Sequence, residues 1–148
     1  AADLMKDAAA RSVELILPVD HVTGNAEKKN PNTCDDRIPP DRMGLDIGPK
    51  TAQRFADKIK TAKLVLWNGP VGVFEVQPFD QGSRVLANAL AENFPRIVSI
   101  IAGGDTVAAI TAAGVAEKIT HLSTGGGATL EFLEGRELPG VKALEDSQ

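Results

Sequence analysis

The sequence predicts an α/β fold: a parallel, Rossmann-like sheet with flanking helices, three layers deep in α/β/α order. Two observations carry this. Short aliphatic runs recur at Lys63-Leu64-Val65-Leu66-Trp67, Ile97-Val98-Ser99-Ile100-Ile101 and Ile119-Thr120-His121-Leu122-Ser123. Runs of this length, bounded by turn residues, suit strands buried on both faces. Each run then meets a glycine-bearing turn and a helical pattern. Strands that alternate with helices imply a parallel sheet joined by right-handed crossovers.

In chain order, alanine-rich residues 3 to 11, with Leu4 and Ala8 on one face, read as a helix. Val13 to Val19 read as a first strand, with Pro18 at its end. Residues 20 to 43 hold Gly24, Pro31, Pro39 and Pro40 with few apolar residues. They read as an irregular surface excursion, a hairpin in outline. Pro49 suits the first position of a helix whose stripe is Ala52, Phe55, Ala56 and Ile59. After the strand at 63 to 67, Asp80 reads as the cap of a helix presenting Leu86, Leu90 and Phe94, which Pro95 stops. A helix over 106 to 117 turns Val107, Ile110 and Ala113 inward, with Asp105 as its cap. Ala128 to Leu133 form a short helix, and Gly135, Pro139 and Gly140 punctuate a tail with a polar end.

Composition bounds the function. At 148 residues the chain is long enough for one core. A net charge of -4 without a basic cluster argues against nucleic acid as partner. It leaves phosphate ligands open, because amides at helix N-termini bind them without a basic surface. The apolar runs fall far short of the ~20 residues that span a bilayer. One cysteine, Cys34, allows no intrachain disulfide, and a cytoplasmic location is the simplest expectation. The chain opens on Ala1 and reads as a helix already under way.

Gly44 to Thr51 imitates a P-loop, but three residues separate Gly44 from Gly48, where four are required, and Pro49 removes an amide. No dinucleotide fingerprint occurs, and no Ser/His/Asp arrangement. The chemistry is expected where three glycine turns follow strands: Asn68 to Gly72, Gly103-Gly104 and Gly125 to Gly127. In open parallel sheets ligands lie beyond the carboxyl ends of the strands. There, amides and helix dipoles converge into an anion site. Asp105 is the one carboxylate among these turns. Over bound phosphates it calls for an intervening cation such as Mg²⁺.

Together these stretches resemble a known family. Leu66-Trp67-Asn68-Gly69-Pro70-Val71-Gly72-Val73-Phe74-Glu75, Gly103-Gly104-Asp105-Thr106 and His121-Leu122-Ser123-Thr124-Gly125-Gly126-Gly127-Ala128 are similar to signatures of the phosphoglycerate kinase family. Met43-Gly44-Leu45-Asp46-Ile47-Gly48-Pro49 and the ending from Leu133 to Val141 resemble it as well. Two stretches depart: Ala102 stands where the family has a first glycine, and residues 21 to 32 match poorly.

The resemblance implies the later part of a C-terminal, nucleotide-binding domain over residues 1–148, incomplete relative to its parent. The missing parts are the substrate domain, which binds 3-phosphoglycerate or 1,3-bisphosphoglycerate, and the first strands with the family's lysine-bearing loop. It implies ADP or ATP with Mg²⁺ as ligands, a monomeric glycolytic parent, and a fragment free to self-associate. Gly44 and Leu45 would line the adenine pocket, and Asn68, Pro70 and Val73 would face them. Glu75 would hold the ribose. Gly103 and Gly104 would let phosphates approach, Asp105 would hold Mg²⁺, and Thr106 would touch a phosphate. The amides of Gly125, Gly126 and Gly127 would stabilise the phosphoryl group in flight.

Overall fold

In the computed structural model, which describes residues 1–145, the aliphatic runs pair as a parallel sheet. Leu64–Asn68, Val98–Ala102 and His121–Ser123 are its three strands, with the middle one central. Before them come a helix, α1 (Ala2–Ala10), three short strands, β1 (His21–Gly24), β2 (Asn32–Cys34) and β3 (Met43–Ile47), and α2 (Pro49–Thr61). The parallel strands are thus β4, β5 and β6. Their helices are α3 (Gln81–Glu92), α4 (Gly104–Ala112), α5 (Gly126–Leu133) and α6 (Pro139–Glu145).

The register of the parallel sheet sorts its faces. Trp67 pairs with Ile101, and Ile101 with Leu122. On that face Trp67 and Ile101 join Leu86 and Leu90 of α3 and Ile110 of α4 in one buried cluster, with Phe55 and Ile59 of α2 packed against it. Full burial of such side chains contributes about 1.5–3 kcal/mol each. The opposite face carries Leu64, Leu66, Val98 and Ile100, and α5 reaches it: Phe132 and Leu133 line a cleft with Leu66 and Ile100. Leu64 and Val98, farther from α5, stay 58% and 43% exposed. Among the described residues, one outer layer is therefore thick and the other thin.

The strand at 119 to 123 starts late for a chemical reason. The Ser99 amide donates to Thr120 Oγ1 and the Thr120 amide donates to Ser99 Oγ, each at 3.1 Å. These side-chain bonds replace the ladder there, and strand pairing begins at His121 opposite Ile100.

Several expectations need correction. Val13 to Val19 do not form a strand; Val13, Leu15, Leu17 and Val19 are all exposed. Their alternation fits a strand, but no ladder partner lies beside them among the described residues. Helix α1 buries none of its residues. Residues 20 to 43 are less irregular than expected, since β1 pairs antiparallel with both β2 and β3 in a second sheet. Asp20 there is fully buried. It accepts the Thr51 hydroxyl at 2.5 Å and the amides of Thr51 and Lys50, so it closes the start of α2 from the residue before β1. Pro49 does stand in the first turn of α2, as expected. Asp80 does not cap α3 with its side chain, which instead pairs with Arg84 at 2.5 Å. Phe94 is largely exposed. Helix α4 ends at Ala112, with Gly103 at its N-cap and Asp105 inside its first turn. The tail is helical over Pro139–Glu145, and its polar end lies outside the described residues.

Candidate functional site

The three glycine turns leave the same edge of the parallel sheet, at the ends of β4, β5 and β6. Specific bonds clasp them. Asn68 Nδ2 donates to the Gly126 carbonyl at 3.3 Å. The Gly69 amide donates to Thr106 Oγ1 at 2.8 Å. The Gly103 amide donates to the Ser123 carbonyl at 2.9 Å. Gly103 has φ +96, a region that favours glycine. That turn aims the backbone into α4.

Neither α4 nor α5 has a side-chain N-cap. At the start of α5 the Gly125 amide donates to Ser123 Oγ at 3.2 Å and the Gly126 amide to the Thr124 carbonyl at 3.1 Å, and the helix dipoles point positive at the clasped turns. Asp105 is exposed within the first turn of α4, whereas Thr106 is buried at 1% exposure. The Thr106 hydroxyl serves the Gly69 amide, so its first observable role is to lock two loops together. Among the described residues no three His, Cys, Asp or Glu side chains gather as a metal cluster. A single carboxylate suits a hydrated cation delivered with phosphates, which is how Mg²⁺ is usually held.

An apolar cleft of about 430 Å³ lies beside this edge. Gly44 and Leu45 of β3 form one side, and Pro70, Val71, Gly72 and Val73 form the other. The Val73 amide donates to the Leu45 carbonyl at 2.8 Å, which joins the two sides. Glu75 does not open on this cleft. It lines a second one, of about 260 Å³, with Asp80, Ser83 and Arg84. Asn68 likewise turns toward Gly126.

Sequence reasoning gave no site role to Pro18, His21, Ile38, Asp46 and Ile47 of the first cleft. Asp46 could have been found, because it is a carboxylate between Leu45 and Ile47 in an otherwise apolar strand. It is 5% exposed and accepts the Gly82 amide and the Ile47 amide, each at 2.8 Å. Burial pushes its carboxyl up to about 6, against those amides and with help from the Asp80 charge. Trp67 stands under the edge and donates its indole N–H to the Gly69 carbonyl at 2.6 Å.

Comparison with known proteins agrees on one family. The family model described as phosphoglycerate kinase matches residues 1–136. A phosphoglycerate kinase of Clostridium novyi (strain NT) is 52% identical over 99% of this chain, and one of Anaeromyxobacter dehalogenans (strain 2CP-C) is 49% identical over 99%. The chain spans 37% of the length of each. Among solved structures, that of phosphoglycerate kinase from Coxiella burnetii matches with TM-score 0.85 and 38% identity, over 95% of this chain and 37% of its own. That from Pyrococcus horikoshii OT3 matches with TM-score 0.74 and 29% identity, over 97% of this chain and 38% of its own. With its motifs matched in order across residues 1–136, the chain belongs to the phosphoglycerate kinase family.

Proposed function

We propose that this chain is the later part of the nucleotide-binding domain of a cytoplasmic phosphoglycerate kinase, and that it binds ADP or ATP. The observation that carries the reading is the clasped edge, where two uncapped helix starts meet beside an apolar cleft. Phosphates suit the first-turn amides and an adenine ring suits the cleft. In the complete enzyme a phosphoryl group passes from 1,3-bisphosphoglycerate to ADP, giving 3-phosphoglycerate and ATP in glycolysis. An oxygen of the ADP β-phosphate forms the new bond to phosphorus as the acyl oxygen leaves, and no covalent enzyme intermediate is needed. Catalysis of this kind rests on positioning and charge neutralisation.

Within that reading, Gly44, Leu45, Pro70 and Val73 hold the base, and Asn68 reaches from the same loop toward the phosphates. Glu75, which follows the wall on the same loop, would hold the ribose. Gly103, Gly104 and Thr106 take the nucleotide phosphates. The amides of Gly125, Gly126 and Gly127 meet the phosphoryl group in transfer. Asp105 would hold Mg²⁺, which when bound offsets the phosphate charge.

Titration with MgADP, followed by Trp67 emission and by calorimetry, tests the reading. Binding in the micromolar to millimolar range is expected, and no heat with flat emission sinks it. The chain alone is expected to give no turnover in a coupled assay, because it spans 37% of the length of the kinases it matches. Turnover restored by the rest of the polypeptide in trans favours an enzyme part over an anion-binding module. Exposed Leu64, Val98, Val13, Leu15 and Leu17 favour a second property, self-association. Size-exclusion chromatography at rising concentration checks it, and an invariant monomer excludes it.

A further inference from the structure

Asp46 sits where three parts of the cleft meet. Its Oδ2 accepts the Gly82 amide from the first turn of α3. Its Oδ1 accepts the Ile47 amide and packs so tightly under the loop that a Cβ on Gly72 would overlap it. A Cβ on Gly82 would overlap the same oxygen. The wall and α3 are also joined directly, since the Val71 amide donates to Ser83 Oγ at 3.2 Å. The carboxylate is thus bonded to strand β3 and to the start of α3, and it packs under the wall at 70–73 without a hydrogen bond to it.

We propose that Asp46 is a positioning residue: its ionised carboxylate holds the wall at 70–73 and the start of α3 against β3, and thereby sets how tightly the cleft grips its ligand. The proposal rests on the nucleotide reading only for what the cleft grips.

The chemistry follows from the acceptor count. An ionised carboxylate accepts at both oxygens, while a protonated one turns one oxygen into a donor. A proton on either oxygen then faces an amide that already donates, and one of the two bonds is lost. Burial places this titration near neutral pH, with the group raised to about 6. Other charged groups bear on it. Asp80 on α3 pushes the same way, although Arg84 pairs with it. His21 on β1 lines the same cleft. From the loop, Glu75 opens on the other cleft.

A positioning role and a merely structural one differ in sign. The folded chain favours the neutral acid, so acidification from pH 7.5 to 5 stabilises the fold through Asp46. The same acidification removes the carboxylate's bond to Gly82 or to Ile47, which loosens the start of α3 that carries the wall through Ser83 and Val71, so ligand affinity falls. A purely structural residue would move both together.

The experiment uses the ¹⁵N-labelled chain, with adenosine as probe, because adenosine carries no phosphate to titrate in this range. The Gly82 and Val73 amide shifts of the wild type are expected to titrate together, with a midpoint near 6. Adenosine affinity is expected to fall about threefold to tenfold from pH 7.5 to 5, the worth of one hydrogen bond. Asp46→Asn is expected to flatten both profiles, and His21→Gln to keep the midpoint whatever its affinity. Gly82 shifts that stay flat from pH 5 to 7.5, or a pH profile that survives in Asp46→Asn, overturn the proposal. If Asp46→Asn does not fold, the wild-type amide titration decides alone. If adenosine fails to bind at every pH while Gly82 and Val73 titrate together, the nucleotide reading fails and the coupling through Asp46 stands.

Discussion

Asp20 and Asp46 are both buried carboxylates, and they respond to acid in opposite directions. Burial alone would raise Asp20, but the Thr51 hydroxyl and the amides of Lys50 and Thr51 outweigh it and hold the group below its ordinary value. Its stabilisation is therefore present above the unfolded value of 3.8 and is lost as pH falls through the lower folded value. Asp20→Asn should cost on the order of 2 kcal/mol in urea unfolding at pH 7. That difference from wild type should shrink below pH 4. Asp46 is raised to about 6, so its stabilisation is fully present below 3.8 and is lost as pH rises through about 6. The wild type should gain on the order of 1–2 kcal/mol between pH 7.5 and 5, relative to Asp46→Asn. Gly72→Ala should loosen the cleft wall, because its methyl group meets Asp46 Oδ1 and the Phe79 carbonyl. Adenosine binding should weaken at least about tenfold, the effect of a displacement worth more than 1.4 kcal/mol. Calorimetry at pH 7.5 checks it, and unchanged binding would show that the wall does not touch the ligand.

Residues 13 to 19 join α1 to the rest of the chain without ladder bonds. Limited chymotrypsin digestion should cut at Leu15 before any site in α3 or β5, because cleavage needs locally open backbone. Mass spectrometry of the first fragments reads this out, and first cuts within β5 would contradict the fold. The same segment shows how far the sequence could be read. Its alternation was a fair strand signal, but a strand also needs a neighbour, and alternation says nothing about who that neighbour is. Strands β4 and β5 were legible because each is a continuous apolar run bounded by turn residues, although Leu64 pairs with Val98 across the whole of α3. Strands β1 and β3 were not, because Thr23, Gly24, Gly44 and Asp46 break the apolar pattern. Their pairing sets His21 opposite Ile47 and Val22 opposite Asp46, which no local pattern reports. The three glycine turns were legible as a group. The separation of Glu75 from the cleft of Leu45 was not, since it depends on the course of a loop that no periodicity reports. Asp105 was expected as a cap, and the left-handed turn at Gly103 took that position from it.

The two faces of the parallel sheet are unequal. One is sealed by α2, α3 and α4, while the other leaves Leu64 and Val98 open, and among the described residues β4 has a sheet neighbour on one side only. Open strand edges and apolar faces invite another chain. Charge at the open face should therefore suppress association: Leu64→Lys with Val98→Lys should shift the chain toward monomer in sedimentation velocity at high concentration. Unfolding midpoints should change little, since both side chains are already exposed. Association that persists in the double variant would move the contact elsewhere.

The sheet order also determines how the turns at its edge can move. Among the described residues, strand β5 has neighbours on both sides, whereas β4 and β6 each have one. The turn with Gly103 and Asp105 therefore grows from the best-held strand. The turn with Gly125 to Gly127 grows from a three-residue strand at the border. Under hydrogen exchange, the amides of Ile100 and Ile101 should be the slow clock of this edge, and those of Leu122 and Ser123 the fast one. The edge is in effect a vice with one fixed jaw and one sliding jaw. The Asn68 side chain, bonded across to Gly126, is the screw between them.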